Sequence, residues 1–154
     1  MKLKAKILDK RAMLPNYAKR GDAGLDLYVL EDTFIEAKTT AAVKTGLAFE
    51  IEEGYEMQIR PRSGISLNGC PVLIANNVEI TLNPRVILGT VDSGYRGEIA
   101  IITENPYCMD ITIPKGTKLA QGVINKIERA EIEIVNELGN SERGGNGFGS
   151  TGIK

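Results

Sequence analysis

Short runs in which apolar and polar residues alternate recur along most of the chain. An alternation of period two is typical of a β-strand that buries one face. In residues 2–8, Ala5 and Ile7 alternate with lysines, and residues 55–60 and 131–135 show the same pattern. The pattern therefore predicts half-buried strands in these three segments.

Further apolar runs of strand length are separated by turn-forming residues. They predict strands at 22–28, 43–51, 72–75, 78–82, 110–113 and 118–127. Turn signals lie at 52–54 and at Asn76-Asn77. Residues 60–66 interrupt the strand pattern and predict a short helical turn, in which Ser63 is a candidate N-cap.

The number and spacing of these short strands indicate the fold class. About a dozen strands with regular turn signals, and no convincing long amphipathic helix, predict an all-β fold such as a sandwich, barrel or jelly roll. The length of 154 residues fits one domain with a single core. We expect one β-domain over residues 1–138, followed by a C-terminal arm over residues 139–154.

Residues 86–91 and 99–102 are apolar runs on either side of a tip rich in Gly, Asp and Ser. This arrangement predicts a β-hairpin. Asp92 and Tyr95 lie close together in the tip, so that a carboxylate and an aromatic ring can share one small pocket. Taken alone, the tip is better explained as an ordinary turn with a surface tyrosine.

Net charge limits the partners that we expect. The chain carries a formal charge of −1 at pH 7, so the protein as a whole has no field that attracts nucleic acid or an anionic membrane. No apolar run approaches the roughly 20 residues that cross a bilayer, and the N-terminal residues lack the core of a signal peptide. We therefore expect a cytoplasmic protein without a nucleic-acid or membrane partner.

The absence of histidine narrows the possible chemistry. It excludes His-assisted serine or cysteine nucleophiles and imidazole acid–base catalysis. Cys70 and Cys108 are the only cysteines, and we expect reduced, buried thiols rather than a disulfide or a zinc site. An enzyme of this composition would use a carboxylate base, and any metal would be a hard ion bound by oxygen.

Residues 139–152 are almost free of aliphatic side chains and are rich in glycine. A disordered tail is the simpler interpretation of this composition. Arg143 and Phe148 favour a second interpretation, a mobile arm that folds over a phosphate-bearing ligand. Glycine amides and the hydroxyls of Ser150 and Thr151 are suitable donors to phosphate, although the segment does not match the P-loop pattern.

Five short motifs occur along the chain. They are Ala-Gly-Leu-Asp-Leu at 23–27, Pro-Arg-Ser-Gly at 61–64, Gly-Thr-Val-Asp-Ser-Gly-Tyr-Arg-Gly at 89–97, Ile-Pro-Lys-Gly-Thr-Lys-Leu-Ala-Gln at 113–121, and Arg-Gly-Gly-Asn-Gly-Phe-Gly-Ser-Thr-Gly at 143–152. In this order, they resemble the motifs of the trimeric dUTPases. The resemblance implies a jelly-roll-like subunit in a homotrimer, with sites built at subunit interfaces. It also implies hydrolysis of dUTP to dUMP and pyrophosphate, with Mg²⁺ as the cofactor.

The resemblance assigns the chemistry to the third motif. Asp92 would be the general base that deprotonates water for attack on the α-phosphorus. Tyr95 would pack flat against the deoxyribose and exclude a 2′-hydroxyl. The hairpin backbone around Gly89 and Val91 would read the edge of uracil, and Asp26 would support the site or order water.

The resemblance also assigns the groups that bind phosphate. Four residues of the second and fourth motifs would hold the phosphate chain: Arg62, Ser63, Gly64 and Gln121. Five arm residues would close over the nucleotide: Arg143, Phe148, Gly149, Ser150 and Thr151. The arginine and the hydroxyls would grip the γ-phosphate, and the phenylalanine would stack on uracil. No protein ligand is assigned to Mg²⁺, because in this family the ion is carried mainly by the triphosphate.

The sequence departs from the family pattern at three places. Gly94 stands where a second acidic residue is usual, and Asn146 replaces a glycine of the arm. Residues 67–86 exceed the usual spacing, so that Val86 occupies the position of an asparagine that helps to read uracil. Asn83 is a substitute only if the register shifts, and the extra residues predict an added hairpin or lid.

Two other functions stay open at this point. A dCTP deaminase-like enzyme shares the fold and the spacing of residues 92–97, although Tyr95 and the arm with Phe148 favour a dUTPase. A non-catalytic trimeric binding protein could keep the same scaffold, since a fold alone does not determine a function. The joint presence of Asp92, Arg143 and the two aromatic residues argues against it.

Overall fold

The computed structural model describes residues 1–145, and within them thirteen strands form most of the regular structure. The strands are β1 (Lys4–Ile7), β2 (Gly24–Tyr28), β3 (Thr33–Ile35), β4 (Thr40–Lys44), β5 (Leu47–Glu50), β6 (Tyr55–Pro61), β7 (Cys70–Ile74), β8 (Val78–Leu82), β9 (Arg85–Val86), β10 (Gly89–Asp92), β11 (Ala100–Glu104), β12 (Ile111–Ile113) and β13 (Lys118–Lys126). A short helix, α1, spans Ser63–Asn68, and a 3₁₀ turn spans Ala75–Asn77. The all-β prediction is confirmed.

The strands of the described residues pair antiparallel in four sheets. Their orders are β10-β6-β13-β2, β3-β12-β7-β8, β4-β11-β9 and β1-β5. Most neighbours within a sheet are distant in sequence, as in a jelly-roll-like barrel and unlike a simple meander. The sheet β10-β6-β13-β2 carries most of the predicted site residues and is called the site sheet below.

Apolar side chains from several sheets fill one core. On β6, Met57 and Ile59 are buried, while Glu56 and Arg60 on the opposite face are partly exposed, as the alternation predicts. The same cluster takes Phe49 from β5, together with side chains of β11 and β12. One face of β6 is therefore fixed against the core, and the other is available for polar groups.

Two predicted strands differ in extent or burial. The run 43–51 is interrupted at Thr45-Gly46, where Gly46 has a φ of +72°, and it gives β4 and β5 in different sheets. Strand β2 is buried on both faces, because Asp26 and Tyr28, which alternate with Leu25 and Leu27, are only 5% and 8% exposed. A buried polar face requires partners for its polar atoms.

Two alternating runs are not buried within the subunit. Strand β1 forms, but all four of its residues are exposed, so the prediction of a half-buried strand is wrong. Residues 131–135 form no strand, and Ile132 and Ile134 are 90% and 95% exposed. Alternation produces a half-buried strand only where the strand both joins a sheet and packs on a core. Strand β1 pairs with β5 but stays exposed, and in the described part of the chain residues 131–135 join no sheet.

The predicted central hairpin is only partly correct. At its base, β9 pairs with β11. Nearer the tip, β10 leaves this ladder and pairs with β6, with Gly89 opposite Ile59 and Asp92 opposite Glu56. Strand β11 pairs with β4 along its other edge. The tip therefore belongs to the site sheet, because its backbone groups find their partners on β6.

The long segment 67–86 contains a β-hairpin, with its turn at Asn76-Asn77 as the sequence predicts. Strands β7 and β8 pair in antiparallel register, and Asn76 and Asn77 turn the chain with φ values of 59° and 57°. Asparagine adopts this left-handed conformation more readily than most residues. Because β7 also pairs with β12, the hairpin extends a sheet.

Helix α1 begins where the sequence predicts a helical turn. Its N-cap is Arg62, in an extended conformation, and no side chain caps the helix, so the assignment of Ser63 as the cap is wrong. The helix ends at Gly69, whose φ of 80° favours glycine. Among residues 1–145, no helix is long and apolar enough to cross a membrane.

The two cysteines lie in different environments. Cys70 is buried on β7, and burial raises the pKa of its thiol to about 11. Cys108 is exposed, so the expectation of two buried thiols is wrong for this residue. Both are free thiols, as the sequence predicts.

We expect one fast and one slow thiol in the native protein when it is treated with DTNB at mildly alkaline pH. Cys108 is exposed and should react at once, whereas burial disfavours the reactive thiolate of Cys70 until the protein unfolds. Cys108→Ser should remove the fast phase, and Cys70→Ser should leave it intact. Two equally fast thiols would contradict the buried position of Cys70.

Candidate active site

Most residues of the third motif line a cavity of about 340 Å³. Its lining residues come from four strands and from the tip: Ala42, Ile59, Gly89, Thr90, Val91, Asp92, Tyr95, Glu98, Ile99, Ala100 and Ile102. Four residues predicted for the site are among them, namely Gly89, Val91, Asp92 and Tyr95. The structure thus brings together the predicted base, the predicted sugar-binding ring and the predicted backbone readers.

The ring of Tyr95 is folded back against the tip. Its backbone N–H donates to the carbonyl of Asp92 (3.0 Å), and its hydroxyl donates to the carbonyl of Glu98 (3.1 Å). Gly97 makes this position possible, because a Cβ at residue 97 would lie 2.3 Å from the tyrosine oxygen. Tyr95 is still 47% exposed, so its ring is available to a ligand.

Asp92 ends β10 and lies opposite Glu56 of β6. Directly opposed residues of an antiparallel pair project from the same face, so two carboxylates are neighbours here. Glu56 accepts a hydrogen bond from Gln58, which accepts one from Arg60. This chain of hydrogen bonds links Glu56 to a cation and partly offsets its charge. Asp92 itself is exposed, and its carboxylate can accept a proton from water.

The wall of the cavity includes residues that the sequence analysis did not assign. Ala42 comes from β4, Ile59 from β6 and Ile102 from β11. These are ordinary strand residues. Their alternation predicts a strand, but it does not indicate which cavity each side chain lines. They reach one place only because β10 pairs with β6 and β11 pairs with β4.

A second group of side chains, Asp26, Arg62, Lys118 and Gln121, lies at the end of β6 and is called the Asp26 cluster. The buried carboxylate of Asp26 forms ion pairs with Nε of Arg62 (3.1 Å) and Nζ of Lys118 (3.0 Å). Arg62 also donates from Nη1 to the carbonyl of Lys118 (3.0 Å). The contact with Asp26 raises the pKa of Lys118. Sequence analysis missed Lys118, because a lysine in a strand is usually a solvated side chain.

Gln121 lies on β13, between β2 and β6. Its Nε2 donates to the carbonyl of Pro61 (3.0 Å). Gly24 leaves room for the side chain, because a Cβ at residue 24 would lie 2.2 Å from Oε1 of Gln121. Ser63 and Gly64 follow as the first two residues of α1, and both are exposed. The first, second and fourth motifs therefore meet at this end of the site sheet.

Asp92 and Arg62 lie far apart within one subunit, although the cavity itself extends along β6 as far as Ile59. Asp92 lies opposite Glu56, and Arg62 follows Glu56 by six positions, just beyond the end of β6. At about 3.3 Å for each strand residue, Asp92 and Arg62 are separated by roughly 20 Å. A single subunit thus presents the predicted base and the predicted phosphate-binding groups at opposite ends of the site sheet.

The other predicted residues lie away from the cavity or outside the described residues. Arg143 lies in the exposed C-terminal segment and does not line the cavity as described for residues 1–145. Asn83 donates from its side chain to the carbonyl of Ser66 (3.3 Å) and does not line it either. The predictions for five arm residues fall outside the described part of the chain: Asn146, Phe148, Gly149, Ser150 and Thr151.

Metal binding by side chains alone has little support in the described part of the chain. Within residues 1–145, no group of three His, Cys, Asp or Glu side chains could hold one ion. Asp26 is engaged by two cations, and the cross-strand partner of Asp92 is a single carboxylate, Glu56. Mg²⁺ requires an octahedral set of oxygens, so most of its ligands would come from water or from a bound molecule.

A family model and curated relatives match this chain over nearly its whole length, and they agree on one family. Residues 10–152 match the family model described as dUTPase. The chain is similar to the deoxyuridine 5'-triphosphate nucleotidohydrolase of Helicobacter hepaticus, with 43% identity over 153 residues, which cover 99% of this chain and 90% of that protein. The corresponding protein of Clostridium tetani is 45% identical over 150 residues, with coverage of 97% and 96%.

Similar solved structures are also dUTPases. The Staphylococcus bacteriophage 80alpha dUTPase with dUPNHPP superposes with a TM-score of 0.85 at 28% identity, and the match covers 99% of both chains. A mutant dUTPase of phage phi11 of S. aureus, whose structure shows a structural Mg(II) ion, gives a TM-score of 0.76 at 26% identity, with coverage of 89% and 98%. The similarity in fold therefore extends over nearly all of the chain.

Proposed function

The chain belongs to the dUTPase family, and we propose that it converts dUTP to dUMP and pyrophosphate with a water molecule activated by Asp92. The observation that carries this proposal is the cavity of about 340 Å³, in which Asp92, Tyr95 and the backbone of β10 lie together. The family also favours dUTP hydrolysis over the deaminase-like and purely binding functions that the sequence left open.

The lining of the cavity supports selection of deoxyuridine. Gly89 and Val91 line it, and their backbone groups would meet the edge of a pyrimidine. A fixed pattern of donors and acceptors rejects cytosine, whose pattern is reversed, because buried polar groups would be left unpaired. The ring of Tyr95 would cover the sugar and exclude a 2′-hydroxyl.

Asp92 is the base in the proposed reaction. The chain has no histidine, and the exposed carboxylate at the end of β10 can orient a water molecule and take up its proton. The water oxygen attacks the α-phosphorus, and the bond to the bridging oxygen of the β-phosphate breaks. In a cell this reaction would limit the incorporation of uracil into DNA and supply dUMP.

The Asp26 cluster and the start of α1 would bind the phosphate chain. Arg62 is anchored by Asp26, yet its side chain remains 32% exposed, and guanidinium donors match phosphate oxygens. Ser63, Gly64 and Gln121 lie beside it. Mg²⁺, bound mainly by the triphosphate and by water, would neutralise part of the phosphate charge.

We infer that each site is completed between subunits of a homotrimer. A separation of roughly 20 Å between Asp92 and Arg62, estimated from the strand rise, argues against one subunit supplying both to the same phosphate group. The subunit also exposes large apolar residues that an interface would cover. Examples are Ile7, Leu14 and Tyr17, which are 52%, 57% and 50% exposed.

Residues 139–154 are proposed as an arm that closes over the bound nucleotide and follows the β-domain of residues 1–138. Of the arm residues predicted to bind phosphate, Arg143 lies within the described part of the chain, and it is exposed. The other proposed contacts come from Phe148, Gly149, Ser150 and Thr151. Closure would exclude water other than the attacking molecule. The cytoplasmic location stays a prediction from sequence.

Replacing Asp92 with Asn should nearly abolish turnover and leave nucleotide binding almost unchanged. The amide keeps the shape of the carboxylate but cannot take up a proton, so we expect kcat to fall by about 10²–10⁴-fold. Pyrophosphate release from dUTP measures turnover, and calorimetry with a non-hydrolysable imido analogue of dUTP measures binding.

Glu79→Gln on β8 is the matched control, since it removes a carboxylate far from the site sheet. A parallel assay of ammonia release from dCTP tests the deaminase alternative. Turnover by Asp92→Asn within a few-fold of the parent would show that another group is the base.

A methyl group added at Gly97 should weaken discrimination against the ribonucleotide. The new Cβ would lie 2.3 Å from the hydroxyl oxygen of Tyr95, so the ring must move away from its position over the sugar. We expect the ratio of kcat/KM for dUTP over UTP to fall about tenfold. Gly94→Ala is the control, because its Cβ would have no atom within 4 Å. An unchanged ratio in Gly97→Ala would show that other residues discriminate between the two sugars.

Two variants that are inactive for different reasons should complement each other in mixed assemblies. Asp92→Asn lacks the base, and Arg62→Met lacks a phosphate-binding cation. If a site takes Asp92 and Arg62 from different subunits, a co-refolded mixture contains some intact sites and recovers activity that neither variant shows alone. Light scattering of the parent should give three times the chain mass. A fully active monomer would contradict the shared site.

A further inference from the structure

The most deeply buried charge of the site belongs to Asp26, and two cations share it. Asp26 is 5% exposed, and its two carboxylate oxygens contact different partners, Arg62 at 3.1 Å and Lys118 at 3.0 Å. A carboxylate taken out of water is costly unless charge and hydrogen bonds compensate it. Arg62 alone would supply one compensating charge, so a second cation on the same group calls for an explanation.

The explanation lies in the net charge that the three side chains present to a ligand. Arg62 and Asp26 without Lys118 form a neutral pair, and an incoming phosphate would meet little net positive charge. With Lys118 present, the three side chains together carry one positive charge. The carboxylate can then anchor the guanidinium without cancelling its attraction for an anion.

The geometry fixes the three groups relative to one another. Arg62 is held at two atoms, Nε by Asp26 and Nη1 by the backbone carbonyl of Lys118. Nζ of Lys118 lies 5.6 Å from the centre of the Tyr28 ring, and Tyr28 donates from its hydroxyl to Asn16 (3.2 Å). Lys118 is thus located between a carboxylate and an aromatic face, both of which favour its charged form.

We propose that Lys118 is a positioning residue for the phosphate chain, which neutralises Asp26 so that Asp26 can orient Arg62 towards the triphosphate. This inference rests on the proposed function, because it takes Arg62 as a phosphate ligand. It differs from a direct role in one respect: Lys118 acts through Asp26 and Arg62, and its loss matters only while they are present.

The first experiment replaces Lys118 with Met and with Arg. Lys118→Met should weaken binding of the imido analogue of dUTP about tenfold and leave binding of deoxyuridine within about twofold, because only the phosphate chain senses the cluster. Lys118→Arg keeps the charge and should stay within about threefold of the parent. Lys126→Met, at the other end of β13, is the matched control and should bind both ligands like the parent.

The second experiment tests the route of the effect by a double-mutant cycle. In an Arg62→Met background, Lys118→Met should reduce binding of the analogue by less than about twofold, because no guanidinium is left to orient. Asp26→Asn serves as a second background with the same expectation, and thermal unfolding shows which variants are folded. A full tenfold loss in either folded background would show that Lys118 binds phosphate directly and would overturn the proposal.

Two further outcomes also decide against the proposal. Equal weakening of deoxyuridine and analogue binding by Lys118→Met would indicate a structural role only. A Lys118→Met protein that binds the analogue like the parent would show that the second cation has no effect. Neither outcome bears on the proposed reaction, which fails instead if the parent releases no pyrophosphate from dUTP.

Discussion

The pairing of β6 with β10 on one edge and with β13 on the other is the constraint on which both parts of the site depend. One register sets Asp92 opposite Glu56 and places the third motif beside the cavity. The other sets Gln121 opposite Arg60 and brings the fourth motif to the second. A slip of one residue in either register would turn the side chains of the moved strand to the wrong face. The buried face of β6, with Met57 fully enclosed, makes such a slip costly.

The polar groups of the site are held in place in two different ways. Asp26 tolerates burial on β2 because two cations reach it, and Arg62 in turn spans from that carboxylate to a backbone carbonyl. The tip around Tyr95 is held differently, by two backbone acceptors and by the lack of a side chain at Gly97. The first arrangement depends on charge and the second on space, so they respond to different substitutions.

Local patterns in the sequence predicted the parts of the fold that depend on near neighbours. The alternation in β6 gave its buried face correctly, and Asn76-Asn77 marked the turn between β7 and β8. The five motifs, through their resemblance to a family, pointed to most of the candidate site. Pairings between distant segments were not predictable in this way. The departure of β10 to β6 and the contact of Lys118 with Asp26 depend on the whole folded chain, and residues 131–135 alternate without forming a strand.

The β7–β8 hairpin has a consequence for how the sequence can change over evolutionary time. Within the described residues, strand β8 pairs with β7 alone, at the outer edge of a sheet that contains none of the site-sheet strands. Val78, Glu79 and Thr81 are exposed, whereas Ile80 and Leu82 pack against the core, so only the exposed positions can change without disturbing core contacts. Substitutions at these exposed positions can therefore give the protein new surface properties and leave the registers that hold the site unchanged.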